Sequence, residues 1–266
     1  MHWGNGSLKL INYRILTAVI VIMFFGILAP DKIRATLPLV SDDAGLVGKN
    51  TLQLELANEY SHSRLNSLTH KENELTAIFT YGLLKRLDAV VAIPYSYRLS
   101  VQSEFNTTEQ EFAGIFTEWK WQFYTRGHFS LALKPTLGFS TGIVQGNDNL
   151  KTTETNVYLL GSFEAPRVFF HCDIGYYDVM HSKQSESPRW HVSIANEYMI
   201  NNAWRAVSNI ITEFGKNFKG INEEWIVLGG LVYTASEHCD VDLGLEHTFN
   251  SAGKNVSLHA GATIVF

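Results

Sequence analysis

Val256-Ser-Leu-His-Ala-Gly-Ala-Thr-Ile-Val-Phe266 decides the fold. Val256, Leu258, Ala260, Ala262, Ile264 and Phe266 fall on one face, and Ser257, His259, Gly261, Thr263 and Val265 on the other. A period of two with one apolar and one mostly polar face is a β-strand. An aromatic residue stands on its apolar side at the end. In a transmembrane β-barrel the apolar face of such a strand meets lipid and aromatic rings mark the membrane interface. In that setting the rest of the chain must supply partners of the same kind.

It does. Alternation recurs from Leu52 to Tyr60, Leu75 to Tyr81, Leu87 to Arg98, Ile115 to Phe123, Phe129 to Ser140, and Val157 to Phe163. It continues from Val168 to Tyr176, Trp190 to Tyr198, Trp225 to Tyr233 and Cys239 to Glu246. Residues 204–213 make a further segment whose alternation is broken by Ile210-Ile211. With Val256–Phe266 the chain is predicted to hold about twelve strands. Pro94 and Pro135 fall inside two of them, and each is expected at a bulge because proline donates no ladder hydrogen bond.

Short and long connections alternate. Residues 82–85, 125–128, 165–166, 201–203 and 235–237 are tight, whereas 62–73, 100–112, 142–154, 178–188, 214–223 and 248–255 are longer and polar. That segregation matches a membrane barrel with short periplasmic turns and longer extracellular loops. Tyr81, Phe123, Phe129, Tyr198, Trp204, Tyr233 and Phe266 fall at short-turn ends; Tyr60, Tyr97, Phe139, Tyr176, Trp190 and Trp225 fall at long-loop ends. Two aromatic belts are therefore predicted. The fold class is all-β, an antiparallel up-and-down transmembrane barrel.

Residues 1–35 have the pattern of an export signal: Lys9 and Arg14, then the apolar run Leu16–Ala29, then a small residue at Ala35. The run is short for a spanning helix, which needs about 20 apolar residues. Residues 36–266 would form the barrel. Without residues 1–35 the formal charge falls from −5 to −8, and no Lys/Arg run is present, which argues against a nucleic-acid partner. Charged residues are 18% of the chain, below the roughly 25% of soluble domains. The two cysteines, Cys172 and Cys239, lie on apolar strand faces and read as lipid-facing thiols rather than a disulfide. No Cys/His spacing resembles a zinc site, no nucleotide-binding glycine loop or nucleophile elbow occurs, and neither cofactor nor metal is expected.

The chain resembles the phenol meta-cleavage-pathway outer-membrane family, often described as transporters. The resemblance rests on SDDAGLVGKNTLQLEL (41–56), YGLLKRLDAVVAIPY (81–95), SLALKPTLGFSTG (130–142), GGLVYTASEHCDVDLGL (229–245) and the closing GATIVF. It covers nearly all of residues 36–266, and its motifs are strand-and-turn patterns that specify architecture more than ligand. The chain departs from the family at Ala113-Gly-Ile-Phe-Thr117, where a Gly-Asp-type start to the fourth strand is usual. The resemblance implies a bacterial outer-membrane location and uptake of small aromatic or apolar compounds.

The polar strand faces place charge in the lumen. The candidate solute path is lined by Glu55, Glu59, Asp88, Arg98, Glu118, Lys120, Lys134, His171, Asp173, His191, Glu197, Asp242, Glu246 and His259, with Glu74 and Arg86 beside them. Such a lining either selects a solute or pairs internally and fills the barrel. An eight-stranded barrel is filled by side chains, sixteen to eighteen strands leave a channel, and twelve lie between. His191-Val-Ser193 also places a base and a hydroxyl on one face, as in some membrane-embedded esterases, and Asn209 on the next strand stands where it would orient the histidine. The flanking Trp190, Val192 and Ile194 turn that pair away from lipid, and the continuation reads Ser-Ile-Ala where those enzymes carry Ser-Asn-Gly. The leading expectation is a channel or transporter with outer-membrane lipid and a small solute as partners, and no enzyme. The alternative is a closed structural or surface-interaction barrel.

Overall fold

Twelve consecutive antiparallel neighbours close on themselves into a barrel. The computed structural model describes residues 37–65, 68–102, 105–112, 114–139, 143–144, 153–180, 188–215, 224–249 and 254–266; the expected signal segment lies outside them. In chain order the strands are β1 (Leu52–Leu65), β2 (Leu68–Leu84), β3 (Leu87–Gln102), β4 (Phe105–Phe112), β5 (Ile115–Arg126), β6 (Phe129–Phe139) and β7 (Ile143–Val144). They continue with β8 (Thr153–Glu164), β9 (Val168–Met180), β10 (Arg189–Met199), β11 (Trp204–Gly215), β12 (Glu224–Ser236), β13 (Cys239–Phe249) and β14 (Lys254–Val265). β4 and β7 extend the sheet on the long-loop side; the other twelve form the wall, which closes where β1 pairs with β14 and β2 with β3.

The wall obeys the alternation of the sequence. Leu243, Leu245, Ile194, Ile210, Leu231 and Leu258 point outward, and Asp240, Asp242, Glu246, Ser257 and Thr263 are buried inward. Aromatic side chains mark both rims. On the short-turn side Trp204 stacks on its cross-strand partner Tyr233, with ring centroids 4.8 Å apart; on the other side Tyr176 meets Trp190 at 5.1 Å. Tyr233 lies eight residues from Trp225 on the same strand. At about 3.3 Å per residue and a tilt near 40° the belts are about 20 Å apart along the membrane normal, close to the apolar band of outer-membrane barrels.

Three predictions need correction. The polar stretches 62–73 and 100–112 are largely strand: β1 and β2 pair through to Leu65 and Leu68, and β3 pairs with β4 through to Gln102 and Phe105. Beyond the membrane both faces of such a hairpin are wet, so the period-two apolar signal disappears although the ladder continues. Pro135 does not sit at a bulge. Its partners across β5 are missing, but the register either side is the same. Arg86, expected in the lumen, is exposed in the tight turn between β2 and β3. Pro94 does lie where the ladder breaks: β3 pairs with β5 up to Ala92 and with β4 from Tyr95, and Gly114 at the join has φ 136°. The bulges of the wall, at Gly82/Leu84, Gln122/Tyr124 and Thr234/Ser236, all fall at the short-turn rim, where bulges help strands turn.

Candidate functional site in the barrel lumen

Residues 37–51, just before β1, are not part of the wall. They run through the lumen as a strap, and the polar inner face binds it at every step. Leu39 is buried among Ala195 of β10, Val207 of β11 and Leu228 and Val232 of β12. Ile210 of β11 faces out as expected, whereas Val207 and Ile211 face in and are buried, Val207 against Leu39.

Asn209 is 1% exposed, and its Oδ1 accepts the backbone N–H groups of Val40 and Ser41, each at 3.0 Å. Its Nδ2 donates to Ser41 Oγ at 2.7 Å, and Ser41 Oγ lies 2.7 Å from Ser193 Oγ. Asp42 N–H donates to Asp173 Oδ2 at 2.8 Å. On the opposite wall the Asp42 carboxylate meets Lys120 of β5 at 2.7 Å and Lys134 of β6 at 3.0 Å. Lys134 also reaches Glu118 at 3.3 Å, and Lys120 reaches Asp43 at 3.4 Å. Burial alone would raise the pKa of Asp42; the two lysines overcome it and hold the carboxyl well below the usual carboxylate range.

Further along, Ala44 N–H donates to Ser162 Oγ and Gln122 Nε2 to the Ala44 carbonyl. Ser162 continues into a relay: Oγ to His171 Nδ1 at 2.9 Å, His171 Nε2 to Glu197 at 3.2 Å, and Glu197 to Arg205, which pairs with Asp240 at 2.7 Å. Val47 N–H donates to Asp88, and Asn50 N–H to the Gly82 carbonyl. Glycine is required at position 82, since a Cβ there would collide with the Gly48 carbonyl. The strap thus crosses from the β10–β12 wall to β2.

Between the strap and the wall from β1 to β6 remains a polar cavity of about 720 Å³. Glu55, Asp88, Glu118, Lys120 and Lys134 line it with Asp42 and Asp43. The other expected lining residues are distributed differently. His171, Asp173 and Glu197 are spent on the strap and its relay. Glu59, Asp242, Glu246 and His259 gather on β1, β13 and β14 in a separate group. Arg98 is paired with Glu72 at 2.8 Å. His191 stands between Glu213, at 3.4 Å, and the edge of Tyr158. Ser193 is bonded to Ser41 rather than to His191, and Asn209 holds the strap, so the three do not form an esterase constellation.

Sequence reasoning missed the strap residues Ser41, Asp42, Asp43 and Ala44 and the wall residues Ser162 and Arg205. One signal was present: β12 is apolar on both faces, and Val207 and Ile211 interrupt the polar inner face of β11, which a wall with lipid outside and water inside does not need.

Among solved structures the chain is similar to the COG4313 outer membrane channel from Pseudomonas putida F1, at TM-score 0.64 and 10% identity over 86% of this chain and all of that one. It is also similar to the KdgM porin in complex with disordered oligogalacturonate, at 0.54 and 9% over 79% of this chain and 99% of that one. The translocator domain of the autotransporter NalP from Neisseria meningitidis matches at 0.54 and 8% over 97% of each chain. No protein-family model and no curated protein matches the sequence. The chain has the fold of outer-membrane channels and porins.

Proposed function

We propose that the protein is a bacterial outer-membrane channel for small solutes in which the strap, residues 37–51, holds the lumen closed and shifts to let solute pass. Residues 1–35 direct export and are removed. The observation that carries the reading is the form of the closure. The strap is joined to the wall by hydrogen bonds and ion pairs, with the polar cavity of about 720 Å³ beside it. A structural plug is more economically built by filling the barrel with wall side chains, as in narrower barrels.

The resemblance to a family associated with aromatic uptake and the inner apolar patch support small aromatic or apolar solutes. Ala195, Val207, Leu228 and Val232 surround Leu39, and withdrawal of Leu39 would leave an apolar surface facing the passage. Lys120 and Lys134, freed of Asp42, would face an acidic group on the solute. Selectivity then comes from lumen side chains without covalent chemistry.

Planar-bilayer recording of the refolded mature chain tests this. Brief, infrequent steps are expected from the native protein, and long openings from Asp42→Asn, with benzoate or phenol reducing the current. Silence from both would favour the alternative, a closed structural barrel.

A further inference from the structure

Three strands at the closure of the barrel carry a group that the strap network does not use. Glu59 of β1 lies directly across from His259 of β14, and Glu246 of β13 is the diagonal neighbour of His259, two residues from its partner Gly244. One ligand atom from each of Glu59, Glu246 and His259 lies within 4.8 Å of the other two. His259 Nε2 is 3.2 Å from Glu246 Oε2, yet it is buried and makes no hydrogen bond.

The surroundings add negative charge. Glu59 faces Glu74 of β2 directly, and like charges in that position destabilise a sheet. Asp242 is 7% exposed and its Oδ2 has no hydrogen-bond partner. Together with Glu59, Glu74 and His259 it lines a cavity of about 90 Å³, to which Leu37 and Pro38 of the strap also contribute. Among the described residues no lysine or arginine forms an ion pair with Glu59, Glu74, Asp242 or Glu246; Arg205 is paired with Glu197 and Asp240, and Arg98 with Glu72. Glu59 and Glu246 therefore flank the imidazole, with Asp242 beside it and Glu74 behind Glu59.

We propose that Glu59, Glu246 and His259, with Asp242 beside them, bind a divalent transition-metal ion that clamps the seam between the first and last strands. The cavity adjoins the three donors through Glu59 and His259, and leaves room for water to complete the coordination of an ion held among them. The imidazole selects transition metals over Mg²⁺ and Ca²⁺, and the carboxylates are suited to Zn²⁺ or Mn²⁺. Sequence spacing gave no hint of this site, because its donors come from three strands and meet only when the barrel closes.

The test is calorimetric titration of the untagged, chelator-treated barrel in detergent with ZnCl₂, and separately with MgCl₂. One equivalent of Zn²⁺ is expected to bind and raise the melting temperature, with no response to Mg²⁺. His259→Ala and Glu246→Gln should each weaken Zn²⁺ binding at least tenfold and abolish the thermal shift. Glu59→Gln, which relieves repulsion with Glu74, should leave the metal-free barrel at least as stable as native while losing Zn²⁺ affinity. A merely damaged wall does not give that combination, so the variant remains informative if Glu246→Gln fails to refold. Native protein that takes up no Zn²⁺, or variants that bind it as the native chain does, would overturn the proposal.

Discussion

Lys120 Nζ lies 2.7 Å from Asp42 Oδ1 although 78 residues separate the two in sequence. Lys134 reaches the other oxygen of the same carboxylate at 3.0 Å. One strap residue thus bridges two lysines of the wall, whose other partners are Asp43 and Glu118. Removing one partner of such a buried group costs about 3–5 kcal/mol, much of it from two buried cations left with only their longer ion pairs to Asp43 and Glu118. Asp42→Ala is expected to free the strap, read as cleavage of residues 37–51 by added protease under conditions that leave the native strap intact. Asp42→Glu should recover part of the protection.

The same carboxyl sets a pH expectation. Its pKa is depressed in the folded chain, so the stabilisation is fully present above the ordinary carboxyl value near 4 and is lost only as pH falls through the lower folded value. As far as Asp42 governs docking, the strap should stay protected from pH 7 to about pH 4 and loosen in stronger acid. Protease protection measured across that range checks this; release near pH 6 would place control on another group.

Asn209 and Ser193 should differ in weight. Asn209→Ala strands the backbone N–H groups of Val40 and Ser41, the buried one at Ser41 alone costing about 1–3 kcal/mol, whereas Ser193→Ala removes one neutral hydrogen bond worth about 1 kcal/mol. The asparagine variant should release the strap far more readily. Neither should alter ester hydrolysis by the purified barrel, and a hydrolytic activity lost in Ser193→Ala would restore the enzyme reading.

Pro38 rests on Gly244, where an added Cβ would lie 3.0–3.1 Å from the proline ring. Gly244→Val should therefore push the strap from its seat without removing any charge. Longer channel openings are expected, with the barrel still resisting unfolding in detergent as the native protein does.

The outer face gives a check on orientation. Leu245 is 59% exposed to the surroundings of the barrel and lies between the belts. Leu245→Arg should destabilise the barrel in lipid by about 2–4 kcal/mol, the cost of a cation near the bilayer midplane. Phe249→Arg, at the rim of the same strand, should cost about 0–1 kcal/mol. Denaturant titration in vesicles compares the two.

The wall was legible because each of its decisions is local. Side chains alternate with a period of two, lipid demands apolar residues on one face, and rings collect at the interfaces. Val256–Phe266, the aromatic pairs and the order of short and long connections therefore specified the barrel, its topology and which residues face in. What those inward residues do was decided only by closure. Glu55, Asp173 and His191 look alike on paper. Yet one lines the cavity beside the strap, one holds the Asp42 backbone, and one turns to Glu213. The strap carries no periodic signal, since a segment bonded on all sides by a curved wall needs no regular pattern of its own. Its side-chain hydrogen-bond partners on the wall lie 41 to 169 residues away, and the Glu59–Glu246–His259 group likewise spans strands from both ends of the chain. Sequence period determines which way a side chain points; only the closed sheet determines what it meets there.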